Sequence, residues 1–313
     1  MTEAELMGRV REAGLSRVAD DLERLIKPSI RVTTQPVDEA LLPLGASKFG
    51  GLPDLPPGVE WPHRQGNPAP EYPEESGGPL LFLAQIRLDE LPDCEASALL
   101  PPSGLLYFFA AVWIDAIGEG HQDEREHQKV IYCDGDLALL RRTPVPPVPE
   151  ALLAADYEPE GHRYPACAVT FRPDVTLPSL DWDEGRFAVL MTDEEQDDYH
   201  EKLSDIVSGA EREVVHRLLG YPQQVQGDMR GKARRFAAPQ EFPKRPMTAE
   251  AWREWEAYKQ QRDAQEWELL LQVDTDPDHG LEWQGWGTGY FWIAAEALRA
   301  HDFENVPLIH QST

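Results

Sequence analysis

Apolar positions change period along this chain, and each change marks an element. Leu6, Val10, Leu15, Val18, Leu22, Leu25 and Ile26 recur at roughly helical spacing, between a Thr2/Glu5 capping box and Lys27-Pro28. This predicts one helix, or two meeting near Gly14. Ser29–Thr33 (SIRVT) alternates as a short strand. Leu80–Leu88 (LLFLAQIRL) is apolar on both alternating faces and too short to prefer helix, so it reads as a buried strand. Leu105–Trp113, Lys129–Cys133 and Ala166–Phe171 read the same way. Thr192 with Glu195 opens a predicted helix to about Leu219, with Ile206, Val207, Val214, Val215 and Leu218 as its apolar side and Gly220 as its stop. A second long helix is predicted from Thr248 through Trp252, Trp255 and Tyr258 to about Glu266. Strands follow at Trp267–Val273 and Gly289–Trp292, then a short helix at Ala294–Ala300.

Between these elements lie stretches that glycine and proline confine to turns, the richest being Ser47–Pro62 (SKFGGLPDLPPGVEWP). Part of it recurs. Gly51-Leu52-Pro53, four residues, then Gly58 is matched by Gly220-Tyr221-Pro222, four residues, then Gly227. Downstream, WELLLQV answers LLFLAQI, with Gln272 opposite Gln85, and Gly289–Trp292 answers Leu106–Phe109. The order of pieces is the same twice, which predicts an α+β fold of two tandem, mainly antiparallel β units related by internal duplication. An N-terminal helical segment and two further long helices complete it. The boundaries fall at 1–35, 36–180 and 181–313, and a cleft is expected where the two units face each other. The four prolines of 144–149 favour polyproline II and a stiff connector; Arg141, Pro144 and Pro147 also fit the RxxPxxP spacing of SH3 ligands.

Charge narrows the partners. A formal charge of −27, from 56 acids against 29 Lys and Arg, repels phosphate backbones and anionic lipid, so neither nucleic acid nor membrane is an expected partner. A protein, and a basic one, is. Asp181–Glu201 is the densest acidic stretch; its bland reading is a solvated helix start favoured by the helix dipole, and Asp193, Glu194, Glu195, Asp197 and Asp198 are the candidate partner contacts. Arg230–Arg245 has the opposite bias and reads as a solvated loop. No apolar run approaches the roughly 20 residues of a membrane span, and the start lacks signal-peptide character. With Cys94, Cys133 and Cys167 far apart and without CxxC spacing, this indicates a cytoplasmic protein with free thiols.

The chemistry-bearing residues are few. Asp274-Thr275-Asp276-Pro277-Asp278-His279-Gly280 begins with hard oxygen ligands, but the sixth and twelfth places of an EF-hand hold His279 and Gly285. A hairpin turn is the simpler reading. Gln85 and Gln272 stand in otherwise apolar strands, where an unpartnered amide costs about 1–3 kcal/mol; they either clamp neighbouring backbone or line the cleft. Trp61, Trp283 and Trp286 could stack on a ligand but are more simply core or core lid. His121, His127 and His216 read as surface residues. No GxSxG, phosphate loop or HExxH occurs, so no catalytic residue, metal ligand or cofactor is assigned.

Six motifs in order, GASKFGGLPDLPPGVEWP, GPLLFLAQIRLDEL, LPPSGLLYFF, HRLLGYPQQVQGDM, LLLQVDTD and DFENVPLIHQST, give the chain a resemblance to the YwqG-like family, a mainly bacterial family of unknown function. The resemblance implies a cytoplasmic α+β protein with internal duplication and carries no functional residues. Some members look like neighbours of bacterial toxin and immunity systems, which implies an interaction role. The expected function is thus a non-catalytic binding protein, toxin-neutralising or regulatory, with a basic protein partner. The alternative is an enzyme or metal-dependent small-molecule binder using Gln85, Gln272, Asp274, Asp276, Trp61 and Trp286 at the cleft.

Overall fold

The strand nearest the N terminus lies at the middle of the sheet. In a computed structural model that describes residues 1–65, 77–111, 124–148, 164–182, 187–208, 214–237, 248, 266–283 and 286–312, the strands in chain order begin with β1 (Lys27–Pro36), β2 (Lys48–Phe49), β3 (Asp54–Leu55) and β4 (His63–Arg64). They continue with β5 (Gly78–Pro79), β6 (Leu81–Arg87), β7 (Leu105–Ala110), β8 (Gln128–Cys133) and β9 (Arg141–Arg142). β10 (Cys167–Thr176), β11 (His216–Leu218), β12 (Trp267–Asp274), β13 (Thr288–Ala294) and β14 (Leu308–Gln311) complete the set. A 10-stranded sheet runs β14-β13-β12-β11-β1-β10-β2-β6-β7-β8. Every neighbouring pair in it is antiparallel.

This sheet is curled. Phe108 on β7 and Phe291 on β13 are separated by six intervening strands, which in a flat sheet would hold them more than about 30 Å apart. Their ring centroids are 5.0 Å apart. Tyr132 of β8 likewise meets Phe303, ahead of β14, at 5.6 Å. The sheet therefore rolls into a nearly closed barrel around one apolar core, to which Ile30, Val32, Phe49, Leu83, Phe108, Leu271 and Phe291 all belong. Bulges at Phe82/Ala84 on β6 and Leu269/Leu271 on β12 supply part of the bend.

Three smaller clusters are built from other residues of the same strands and the segments packed on them. Leu55 and Trp61 pack with Phe82, Tyr107 and Phe109; Met229 and Ala233 pack with Tyr290 and Trp292; and the N-terminal helices pack with Leu177, Phe187, Met191, Tyr199, Leu203 and Ile206. Two Gly/Pro segments are fastened to the sheet by matching side chains. Gln85 Nε2 donates to Ala46 O at 2.8 Å while its Oε1 accepts from Asp54 N at 2.8 Å. Gln272 Nε2 donates to Val215 O at 3.0 Å and its Oε1 accepts from Gln223 N at 3.0 Å. Opposite each glutamine stands a tyrosine whose hydroxyl donates to the same segment, Tyr107 to Asp54 O at 2.6 Å and Tyr290 to Gln223 O at 2.5 Å. The clamp reading of the two glutamines is the one the geometry takes. Glycine is required where these segments leave the sheet: a Cβ on Gly50 (φ 64°) would meet Pro165 O at 2.2 Å.

Several predicted elements stand as read. The Thr2/Glu5 box caps the helix Glu3–Glu12, and the Thr192/Glu195 box caps Asp193–Lys202. The second of these is shorter than expected. Helix ends at Lys202, a single turn follows at Ser204–Val207, and His216–Leu218 is β11, inserted between β1 and β12. Val214, Val215 and Leu218 fit a helical stripe and a buried strand equally, and the open edge of β1 decides between them. His216, expected at the surface, is therefore buried, as is His127. SIRVT grows into a ten-residue strand because β10 pairs it along its whole length. The basic stretch expected as a loop begins as the helix Arg230–Ala237. The helix predicted from Thr248 lies outside the described residues.

Removing one clamp tests this account of the fold. Gln85→Leu keeps the side chain's size but leaves Ala46 O and Asp54 N without their partner, at about 1–3 kcal/mol for each stranded group. Denaturant unfolding should show a loss of that order for Gln85→Leu and again for Gln272→Leu. A loss below about 0.5 kcal/mol, the range of ordinary surface substitutions, would contradict the clamp role.

Candidate functional site

A cluster of polar residues in mutual contact sits where β12 leaves the sheet. Its last residue, Asp274, is held by three donors: Thr275 N and Thr288 Oγ1 on Oδ1 at 2.9 and 2.7 Å, and Val215 N on Oδ2 at 3.2 Å. The chain then turns through Pro277–His279 and returns over Gly280, whose φ of 71° ends the turn, while Asp276 and Leu281 bond to each other. The hairpin reading of this stretch matches its geometry. What the turn does beyond reversing the chain is to bring Asp276 against two histidines and a threonine.

Asp276 Oδ2 accepts from Thr34 Oγ1 at 2.8 Å, lies 2.5 Å from His279 Nδ1 and 3.5 Å from His216 Nε2. Thr34 comes from β1 and His216 from β11, so three strands and the turn converge here. Asp274 N donates to His216 Nδ1 at 3.0 Å, which leaves the ring hydrogen on Nε2, facing Asp276. His216 also meets Phe49 edge-on at 5.1 Å. Burial pushes the Asp276 carboxyl up, but the hydrogen bonds from His216, Thr34 and His279 outweigh it and hold its pKa well below the carboxylate range. Asp274 goes the other way, because burial outweighs its hydrogen bonds. Burial, with Asp276 adding to it, raises the Cys167 thiol to about 11; Cys94, Cys133 and Cys167 are all free.

An imidazole held at Nδ1 by a carboxylate presents Nε2 as its basic nitrogen, the arrangement shared by general bases and metal ligands. His279 is in that position and partly exposed. Among the described residues, no group of three His, Cys, Asp or Glu side chains is placed to share a metal ion. Of the cluster's members, Thr34 was not singled out in the sequence, His216 was expected at the surface, and His279 was named only as part of the Asp274–Gly280 stretch. His279 carried a signal, its place three residues after Asp276, whereas Thr34 lies 242 residues away.

A second polar cluster surrounds Gln85. Lys48, wholly buried, lies 3.3 Å from Glu39 and 3.4 Å from Asp54, and Arg142 Nε reaches Asp54 Oδ1 at 3.0 Å. Gly45 N and Gln85 Nε2 also donate to Asp54 Oδ2, at 3.0 and 2.9 Å. Burial lowers the Lys48 pKa against the pull of Asp54 and Glu39; for Asp54, burial is outweighed by Arg142, Lys48, Gly45 and Gln85, and the pKa is lowered. Two cations and two acids are matched here, so the cluster ties the Gly/Pro segment down.

The other singled-out residues are spread out. Trp61 is buried, donates from Nε1 to Leu80 O at 2.8 Å and packs edge-on against Phe109. Trp283 is buried, with its ring against Gly289 and stacked on His310; Trp286 is 52% exposed at a φ of 56°. In the acidic stretch, Glu195 closes its helix cap and pairs with Arg17, which lowers its pKa to about 2, and Asp198 pairs with Lys202. Asp193, Glu194 and Asp197 are exposed.

Two outcomes follow. Because the folded pKa of Asp276 is depressed, the stability it contributes is present above its unfolded pKa of about 3.9 and is lost as pH falls below that value. Asp274, with a raised pKa, offsets part of that loss. Asp276→Asn should be less stable near pH 7 by about 1–3 kcal/mol, and its stability should fall less steeply between about pH 5 and pH 2 than that of the parent; parallel pH profiles would contradict the assignment. Both carboxylates are already engaged by internal donors, so calcium or magnesium should leave the melting temperature unchanged. A rise lost in the Asp274→Asn, Asp276→Asn double variant would establish a cation site.

No curated protein matches the chain. One family does, over residues 47–311, which take in all of the sheet except β1. Every strand carrying a clamp and every residue of the Asp276 cluster except Thr34 falls inside that span, and the chain belongs to the family described as "Domain of unknown function (DUF1963)".

Proposed function

We propose that this protein is a non-catalytic binding protein whose partner is a basic protein that it neutralises or regulates. The observation that carries the reading is the charge of the helical layer formed by residues 1–26 and 187–208. Its cations are largely committed within the layer: Arg9 to Asp205, Arg17 to Glu195, Arg24 to Asp21 and Lys202 to Asp198. Glu3, Glu12, Asp20, Glu23, Asp193, Glu194, Asp197 and Glu201 remain exposed on the same layer. The candidate contacts of the Asp181–Glu201 stretch thus join acids from the N terminus in one field, which would draw in a cationic surface and turn away phosphate. The likeness to the YwqG-like family belongs to this reading, as do a cytoplasmic setting and an origin of the two halves as copies of one unit. The matched Gln85/Tyr107 and Gln272/Tyr290 contacts support that origin.

A second reading, an enzyme or small-molecule binder, is favoured by the His279 imidazole oriented by Asp276. The two are separated by purification of the tagged protein from its native cells at low and high salt. The first reading expects a basic protein that is released by salt and whose association is slowed several-fold when Asp193, Glu194 and Asp197 are neutralised, with little change in dissociation. Recovery of a small molecule that the protein converts, with conversion lost in His279→Gln and no salt-sensitive protein partner, would replace it with the second.

A further inference from the structure

Val189 and Leu190 stand out against the acidic layer. They occupy the short turn Ala188–Leu190, directly ahead of the Thr192 cap, and are 81% and 43% exposed. Neither is there for want of a core. Phe187 and Met191, on either side of the turn, are both buried with Tyr199 and Leu203, so the turn is anchored at both ends and lifts only its two middle apolar residues into solvent.

The turn is also held rigid. Leu190 O accepts from Arg17 Nη2 at 2.8 Å, Ala188 O accepts from Gln196 Nε2 at 3.1 Å, and Arg17 pairs with Glu195. Asp21 lies close enough to reinforce the charge of Arg17. Arg17 is thereby spent on internal contacts, and the carboxylates adjoining the turn in sequence, Asp193 and Glu194, are exposed and form no ion pair among the described residues. An apolar pair fixed in place beside free negative charge is pre-organised for a partner that brings an apolar side chain and positive charge together.

We infer that the Val189–Leu190 turn is the centre of the docking surface, and that its occupant is a cationic amphipathic helix of the partner protein, with leucine-like residues on the turn and Lys or Arg over Asp193, Glu194 and Asp197. This rests on the binding-protein reading above and adds the place and the chemistry of contact. A uniformly charged segment without apolar residues would meet the acids but leave the turn in water. Charge would govern how fast the helix arrives and the apolar pair how long it stays.

The test uses the full chain and a defined probe, a short synthetic helix of lysine and leucine at amphipathic spacing, with a polylysine peptide of equal charge as control. Binding is followed by fluorescence anisotropy at several salt concentrations. The amphipathic helix is expected to bind more tightly than polylysine. Val189→Ser with Leu190→Ser should weaken it roughly 10-fold, mainly through dissociation, with the salt dependence unchanged. Asp193→Asn with Glu194→Gln and Asp197→Asn should instead slow association and flatten the salt dependence. All these side chains are exposed, so melting temperatures should stay near that of the parent, and a variant whose melting temperature holds reads the surface directly. Equal affinity of parent and Val189→Ser/Leu190→Ser for the helix overturns the docking surface while leaving an acidic binding protein intact. Failure of both peptides to bind even at low salt overturns the binding-protein reading itself.

Discussion

A curled antiparallel sheet can satisfy its own backbone, but the Gly/Pro segments laid across it cannot. Proline lacks an N–H, glycine turns break the ladder, and the polar groups left over are buried, where each would cost about 1–3 kcal/mol without a partner. Gln85 and Gln272 meet this need, each giving one donor and one acceptor to backbone of the segments or of the residues beside them, with Tyr107 and Tyr290 adding a further donor. The rest of the architecture depends on these contacts. They hold the covers over Phe109 and Trp292, and those covers allow both sides of the sheet to be apolar.

The same constraint explains why most buried polar groups here are poor candidates for chemistry. Lys48, Asp54, Glu39 and Arg142 neutralise one another around Gln85, and the oxygens of Asp274 are filled by donors from three segments. Groups already satisfied within the fold gain little by meeting a ligand. His279 differs in being only partly buried while its Nδ1 is held by Asp276, and the second reading rests on that. The acidic helices differ again, in that Asp193, Glu194, Asp197 and Glu201 are exposed to solvent.

Much of this was legible in the sequence, for physical reasons that differ by element. Capping boxes are local, so Thr2/Glu5 and Thr192/Glu195 were readable outright. The polar Gln in an apolar strand announced a clamp because burial makes such a residue expensive. The extent of β1 was not legible, since Thr34–Pro36 carry no strand signal and are extended by pairing with β10. His216 was misplaced for a related reason: its apolar neighbours suit helix and strand alike, and only the vacant edge of β1 selects the strand. The Asp276 cluster joins Thr34, His216 and His279 across the whole chain, and no local pattern carries contacts of that range. Val189 and Leu190 lie between Phe187 and Met191 with nothing local to tell them apart; that Phe187 and Met191 turn inward while these two turn outward is a property of the packed layer.

The central claim is that function resides on the acidic helical layer and not in the polar groups of the sheet. Zero-length carboxyl-to-lysine cross-linking in intact cells, with the cross-linked residues identified by mass spectrometry, tests it most directly. The claim predicts that Asp193, Glu194, Asp197 and Glu201 are the carboxylates joined to lysines of another protein. Cross-links confined to acids around the Asp276 turn, such as Asp278 and Glu282, with the helical layer untouched, would contradict it.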